Sequence, residues 1–258
     1  MPKAPATEAL PGSRALLLCS HGSPAAGPAL AARARGLRGR RTFDEVAGCL
    51  LYGEPRLEAV VAGLSAEAIR LVPLFMAKGV TLDALRARVA ALPRRAQVRL
   101  CPPLGSHPGL PGLIVETALA GMAARGWHPE ETAVVLVAHG SRRSDASRQA
   151  TDRLARALAG SGRLSEVAVA LLENGPALDR VVASTAAARA VVIGCFAEPG
   201  AHAMEDVPRL LAGSGKPAAY LGPLGMAPGI DELILDQAAE PPAFGGLRRQ
   251  APHEEIRP

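Results

Sequence analysis

Aromatic side chains are nearly missing from this chain: its 258 residues include one Trp, two Tyr and four Phe. Proteins that hold single-stranded nucleic acid stack bases on such rings, so the scarcity argues against a nucleic-acid partner. It also leaves Ala, Leu and Val to build the core. Lysine is almost as rare, present only as Lys3, Lys78 and Lys216, so the net charge of +5 and the pI near 9.4 rest on arginine. A coding bias towards arginine accounts for that excess. Equally, the planar, bidentate guanidinium suits the carboxylates or phosphates of a polyanionic ligand, and the two accounts are compatible.

Other absences remove whole function classes. The four cysteines, Cys19, Cys49, Cys101 and Cys195, form no CxxC pair, which points to reduced, buried thiols and away from disulfides or a zinc site. No apolar run approaches the roughly 20 residues that cross a bilayer. LLLC at 16–19 is too short for the apolar core of a secretory signal, so a cytoplasmic protein with no membrane partner is expected. GSGKP at 213–217 lacks the spacing and Ser/Thr of a phosphate-binding loop, and there is no G-x-S-x-G elbow. No GxGxxG follows the first strand, which disfavours a nicotinamide dehydrogenase.

What is present is patterned. A hydrophobic content of 48% with 21% charged residues is that of a globular chain, long enough for two domains. VVLVAHGSRRSDASRQATDRLARAL, residues 134–158, reads as a buried parallel strand, a His-Gly-Ser turn and an amphipathic helix. ALLLCSHGSP at 15–24 has the same strand and turn. The resemblance continues down the chain: LLYGEP matches LLENGP, PLFMAKG matches GCFAEPG, and PPLGSHPG matches GPLGMAPG, with Pro176, Phe196 and Leu224 answering Pro55, Phe75 and Leu104. Strands alternate with helices throughout. The expected fold is therefore α/β, two tandem duplicated doubly wound parallel-sheet domains of about four strands each, related by a pseudo-twofold with a cleft between them. The predicted divisions are a loose leader at 1–13, an N-terminal domain at 14–126, a C-terminal domain at 127–239 and a disordered tail at 240–258.

In open α/β sheets ligands bind where strands end and helices begin, so the two His-Gly-Ser turns are the first candidates. The halves differ at one telling place. FAEPGAHAMEDVP at 196–208 carries His202, where FMAKGVTLDAL at 75–85 carries Thr81. His139 and His202, leaving separate strands of the second half, form a pair suited to metal or proton handling, because imidazole binds borderline divalent metals and titrates near neutrality. Glu173, in LLENGP, is a metal ligand, a proton acceptor or a neighbour of a helix N-terminus. Ser141, Arg142 and Arg143 follow His139 towards the crevice, where the arginines would grip acidic groups. Glu205 and Asp206 fit the favourable negative charge of a first helical turn, Arg148 a solvated face, and His107 a structural position. His21 is the secondary candidate in the first half.

The stretches VLVAHGSRRSDASRQATDRLARAL, LLENGP and CFAEPGAHAMEDVP resemble the sirohydrochlorin chelatase family, the class II chelatases that insert cobalt or ferrous iron into tetrapyrroles for cobalamin and siroheme synthesis. The resemblance covers residues 15–239. It implies a two-domain chelatase in which His139 and His202 are the metal-binding and catalytic histidines and Glu173 the acidic partner, with Ser141, Arg142 and Arg143 on the substrate. It also implies a divalent metal, Co²⁺ or Fe²⁺, as substrate, with no permanently bound cofactor, and a tetrapyrrole whose carboxylates meet the arginines. A non-catalytic tetrapyrrole or metal carrier derived from a chelatase is the alternative, since Thr81 leaves the first half without a complete pair.

Overall fold

The computed structural model describes residues 12–22, 26–142 and 144–239; the expected leader, the tail and Arg143 lie largely or wholly outside them. The first half runs β1 (Arg14–Ser20), α1 (Ala26–Arg38), β2 (Glu45–Leu50), α2 (Leu57–Gly63), β3 (Ala68–Pro73), α3 (Val80–Ala90), β4 (Val98–Leu100) and α4 (Leu110–Ala123). The second runs β5 (Thr132–Ala138), α5 (Ala146–Ala159), β6 (Glu166–Leu171), α6 (Leu178–Ser184), β7 (Arg189–Gly194), α7 (Val207–Leu211), β8 (Ala218–Pro223) and α8 (Ile230–Ala239). All pairings are parallel, in the orders β2-β1-β3-β4 and β6-β5-β7-β8. The duplication read from the sequence is thus a duplication of topology.

The apolar runs become strands because both faces of each sheet are covered. Every residue of β5 is buried, and its side chains alternate: Val134, Leu136 and Ala138 enter one core, while Ala133, Val135 and Val137 enter another. β1 does the same, with Leu16 and Leu18 on one side and Ala15, Leu17 and Cys19 on the other. The faces that share a core look towards each other. Between them lie α1, α4, α5 and α8, contributing Leu30, Ile114, Leu154 and Ile234 to one continuous cluster. α2 and α3 cover the outer face of the first sheet, and α6 and α7 that of the second.

Strand pairing stays within each half, but the last helix of each half packs on the other. α4 packs on β7, β8 and α5 of the second half, whereas α8 packs on β3 of the first. His107 fastens the second exchange. Its ring is 4% exposed, accepts the Gly109 amide on Nδ1 at 3.0 Å and reaches Asp236 Oδ2 on α8 from Nε2 at 3.1 Å. This matches the structural reading of that histidine. All four cysteines are free and buried. Among the described residues no helix is long and apolar enough to cross a membrane.

Candidate active site

The carboxyl ends of both sheets open into one cleft of about 350 Å³. Ser20, His21, Met76, Val80 and Thr81 line it from the first half, and His139, Ser141, Ser147, Phe196 and Glu198 from the second. The halves meet closely at its edge, where a Cβ on Gly79 would lie 3.2 Å from that of Ala146.

His139 is carried there by backbone geometry. The bonds of β6 continue past the end of β5, as Leu172 N donates to Ala138 O at 2.9 Å and Glu173 N to His139 O at 2.8 Å. That brings the Glu173 carbonyl so close to Gly140, at φ +74, that a Cβ on residue 140 would stand 1.9 Å from it. Glycine is required there for both the positive φ and the approach. The first half repeats the arrangement: Tyr52 N donates to His21 O at 2.9 Å, and a Cβ on Gly22, φ +112, would fall 1.8 Å from Tyr52 O. The His-Gly step is therefore the part of the motif that holds the histidine at the strand exit.

His202 stands at the start of an unusual turn. The sequence predicts a helix from Glu205; instead His202–Asp206 forms one π-helical turn, closed by Val207 N on His202 O, before α7 begins. Pro208 supplies a reason: it has no N–H to continue the ordinary ladder and its ring crowds the preceding turn. The turn sets His202 and Asp206 on one face. His202 Nδ1 donates to Asp206 Oδ2 at 2.7 Å, and Arg209 donates to Oδ1 of the same carboxylate. Those contacts, the His202 bond foremost, hold the Asp206 carboxyl below its ordinary range.

The two rings meet edge to face, with centroids 4.4 Å apart and planes at 90°, and Nε2 of His139 is 3.1 Å from Nε2 of His202. His139 Nδ1 donates to Gly140 O at 2.9 Å. With both Nδ1 atoms occupied as donors, each neutral ring presents a bare Nε2 lone pair to the other. Two lone pairs at that separation repel unless a cation stands between them. At the usual metal–imidazole bond length, 3.1 Å between the nitrogens corresponds to an angle of about 100° at a shared ion. That lies between octahedral and tetrahedral coordination.

The remaining predicted residues are placed as follows. Ser141 lines the cleft and its carbonyl accepts from Asn174 Nδ2 at 3.4 Å. Arg142 is exposed on the loop beyond it, and Arg143 is outside the described residues. The Glu173 side chain is exposed, and among the described residues no three His, Cys, Asp or Glu side chains are grouped to hold one ion. Glu173 thus contributes backbone to the site, while the carboxylate that touches the histidine pair is Asp206. His21 packs edge-on against Tyr52, 5.1 Å between centroids, and its pKa is lowered by burial and then by the charge of His139 across the cleft. Arg148 pairs with Asp145 at 3.0 Å on the surface of α5.

Two residues were not singled out as site residues by sequence: Asp206, which stands behind His202, and Glu198, which lines the cleft. The spacing of four between His202 and Asp206, on a helical turn, is the signal that identifies the Asp206 contact. Glu198 stands where the first half has Ala77, so comparing the halves position by position would have found it. The large exposed apolar side chains Tyr52, Val80, Met204 and Met226 all follow strand ends, and Val80 lines the cleft. A cleft lined by Leu74, Phe75, Val80 and Phe196 beside His139 suits a flat ligand with apolar faces.

Comparison with known proteins gives the family and the fold. The CbiX family model matches twice, over residues 15–119 and 133–241. The "Probable sirohydrochlorin cobaltochelatase" of Halobacterium salinarum is 24% identical, over 95% of this chain and 97% of that protein. Among solved structures, DR2241 of Deinococcus radiodurans, a multi-domain protein with structural similarity to chelatases, superposes with a TM-score of 0.74 at 26% identity; the match covers 89% of this chain but only 55% of the Deinococcus one. CbiX, the terminal enzyme of siroheme biosynthesis in denitrifying bacteria, superposes with a TM-score of 0.69 at 29% identity, over 87% of this chain and 97% of its own. With two copies of the family's domain in tandem, the chain belongs to the CbiX family of chelatases.

Proposed function

We propose that this protein inserts a divalent metal, Co²⁺ or Fe²⁺, into sirohydrochlorin or a close relative, in the cytoplasm, as a step towards cobalamin or siroheme. The observation that carries the proposal is the convergence of His139 Nε2 and His202 Nε2 at 3.1 Å, each ring anchored through Nδ1. Anchoring through Nδ1 fixes the tautomer and the orientation of the metal-facing nitrogen.

In this reading the incoming metal is held by the two imidazoles that follow β5 and β7. The tetrapyrrole enters between the halves with one edge in the cleft and its carboxylates towards solvent, where Arg142 and Arg143 meet them through charge-assisted bonds. Ser141 orients the ring edge. The metal then passes from imidazole to pyrrole nitrogens as their protons leave. Glu173, exposed at the exit of β6, assists from the rim once substrate is bound.

The test is anaerobic metal insertion followed by the absorbance of the macrocycle. Wild type is expected to turn over, and His139→Ala and His202→Ala to lose at least about 10²-fold in rate, the scale of a lost acid–base or ligand group. Unimpaired turnover in both variants would refute the assignment. Tight binding of metal and macrocycle by wild type, with no rate above the uncatalysed one, would identify a carrier instead.

A further inference from the structure

Metal insertion breaks two pyrrole N–H bonds, and the protons need acceptors. An imidazole nitrogen that is holding a metal is no longer free to take one. The cleft contains one carboxylate that the metal-holding role leaves unused. Glu198 lies on the loop between β7 and the π-helical turn, and it lines the same cleft as His139 and His21. Its Oε2 accepts the hydroxyl of Ser20, the buried last residue of β1 in the opposite half. Its Oε1 is buried without a hydrogen-bond partner.

The duplication isolates this group. Where the second half has Glu198 and His202, the first has Ala77 and Thr81, so the carboxylate occurs only in the half that carries the histidine pair. The loop bearing it is rigidly placed, because Gly225 N donates to Phe196 O at 2.9 Å and a Cβ on Gly225 would lie 1.8 Å from Ala197 O. A buried carboxyl oxygen without a partner is costly when ionised and is relieved by taking a proton.

Resting on the insertion reading above, we propose that Glu198 is the proton acceptor of the cleft. As the metal binds a pyrrole nitrogen, the N–H bond breaks, its electron pair becomes the metal–nitrogen bond, and the proton moves to the Glu198 carboxylate. The second proton passes to water at the cleft opening, and Glu198 later returns its own to solvent. Burial raises the carboxyl pKa above its ordinary value, while the Ser20 bond and the Arg33 guanidinium on α1 pull it down. The other titratable groups facing the cleft are His21, His139 and the buried thiol of Cys195. A base tuned upwards from 4.5 towards working pH is better matched to this task than an ordinary carboxylate.

The experiment compares pH profiles of Co²⁺ insertion into sirohydrochlorin for wild type, Glu198→Gln and Ser20→Ala, with Co²⁺ affinity measured alongside. Glu198→Gln is expected to lose about 10²-fold in kcat with Co²⁺ affinity retained, and its acid limb to lose the slope of one proton. Ser20→Ala removes a bond that favours the ionised carboxylate, so its acid limb is expected to move to higher pH. A Glu198→Gln enzyme with undiminished kcat overturns the proposal. So does a uniform loss at every pH with the limb unchanged, which marks a structural role. A wild type that inserts no metal at all refutes the insertion reading itself, a result distinct from either.

Discussion

At the scale of single residues, the histidine pair is fixed by what stands behind each ring. Asp206 keeps the Nδ1 proton of His202 in place, and the Gly140 carbonyl does so for His139. Replacing Asp206 by Asn frees His202 to turn or change tautomer, and Co²⁺ affinity is expected to fall about 10- to 100-fold in an equilibrium titration; unchanged affinity would mean the contact is incidental. Glu198 shows the opposite economy, a carboxyl placed where ionisation is unfavourable. Because its folded pKa lies above the ordinary 4.5, the stability it contributes is fully present below that pH and is lost as pH rises through the folded value. Glu198→Gln stays neutral throughout. Its stability in denaturant melts is therefore expected to gain on wild type as pH rises above 4.5, and a gap that narrows with rising pH would contradict the burial argument. His139 and His202 were legible as a pair because the first half supplied an internal control, His21 without a partner. Asp206 was read as a helix-end charge, since nothing in composition distinguishes that use from a bond to His202.

At the scale of elements, the strands and helices follow directly from apolar runs and their exits, and the sequence reading of both halves is realised in the same strand order. The exchange of α4 and α8 was not legible. Both helices carry apolar faces that suit either sheet, and short-range patterning does not say which surface a terminal helix will cover. Its consequence is testable. Ile234, fully buried on α8, fills the shared core between the sheets. Ile234→Ala is expected to cost about 2–5 kcal/mol in denaturant unfolding, and a cost near zero would mean that α8 is loosely attached. The exits of β1 and β5 make a second element-level prediction. Gly140→Ala drives a Cβ into the Glu173 carbonyl and into a strained φ, so it is expected to destabilise by well over about 1 kcal/mol and to weaken Co²⁺ binding with it. A stable variant with normal metal binding would show that the turn has other conformations available.

At the scale of the whole molecule, the two halves form one core through their exchanged helices and one cleft through their strand exits. One half carries the histidine pair and the carboxylate; the other provides the facing wall, with His21, Thr81 and the Ser20 hydroxyl. Duplication followed by such divergence leaves one close histidine pair among the described residues, beside a two-sided cleft; in the proposed reaction a flat ligand would be approached by metal from that half while held against the other. The account stands on the claim that the metal to be inserted is held by His139 and His202. The most direct measurement is a single turnover: protein loaded anaerobically with one equivalent of Co²⁺ is mixed rapidly with sirohydrochlorin, and the macrocycle's absorbance is followed. A fast insertion phase is expected in wild type and is expected to disappear in both His139→Ala and His202→Ala. A fast phase of equal rate and amplitude in those variants would contradict that claim.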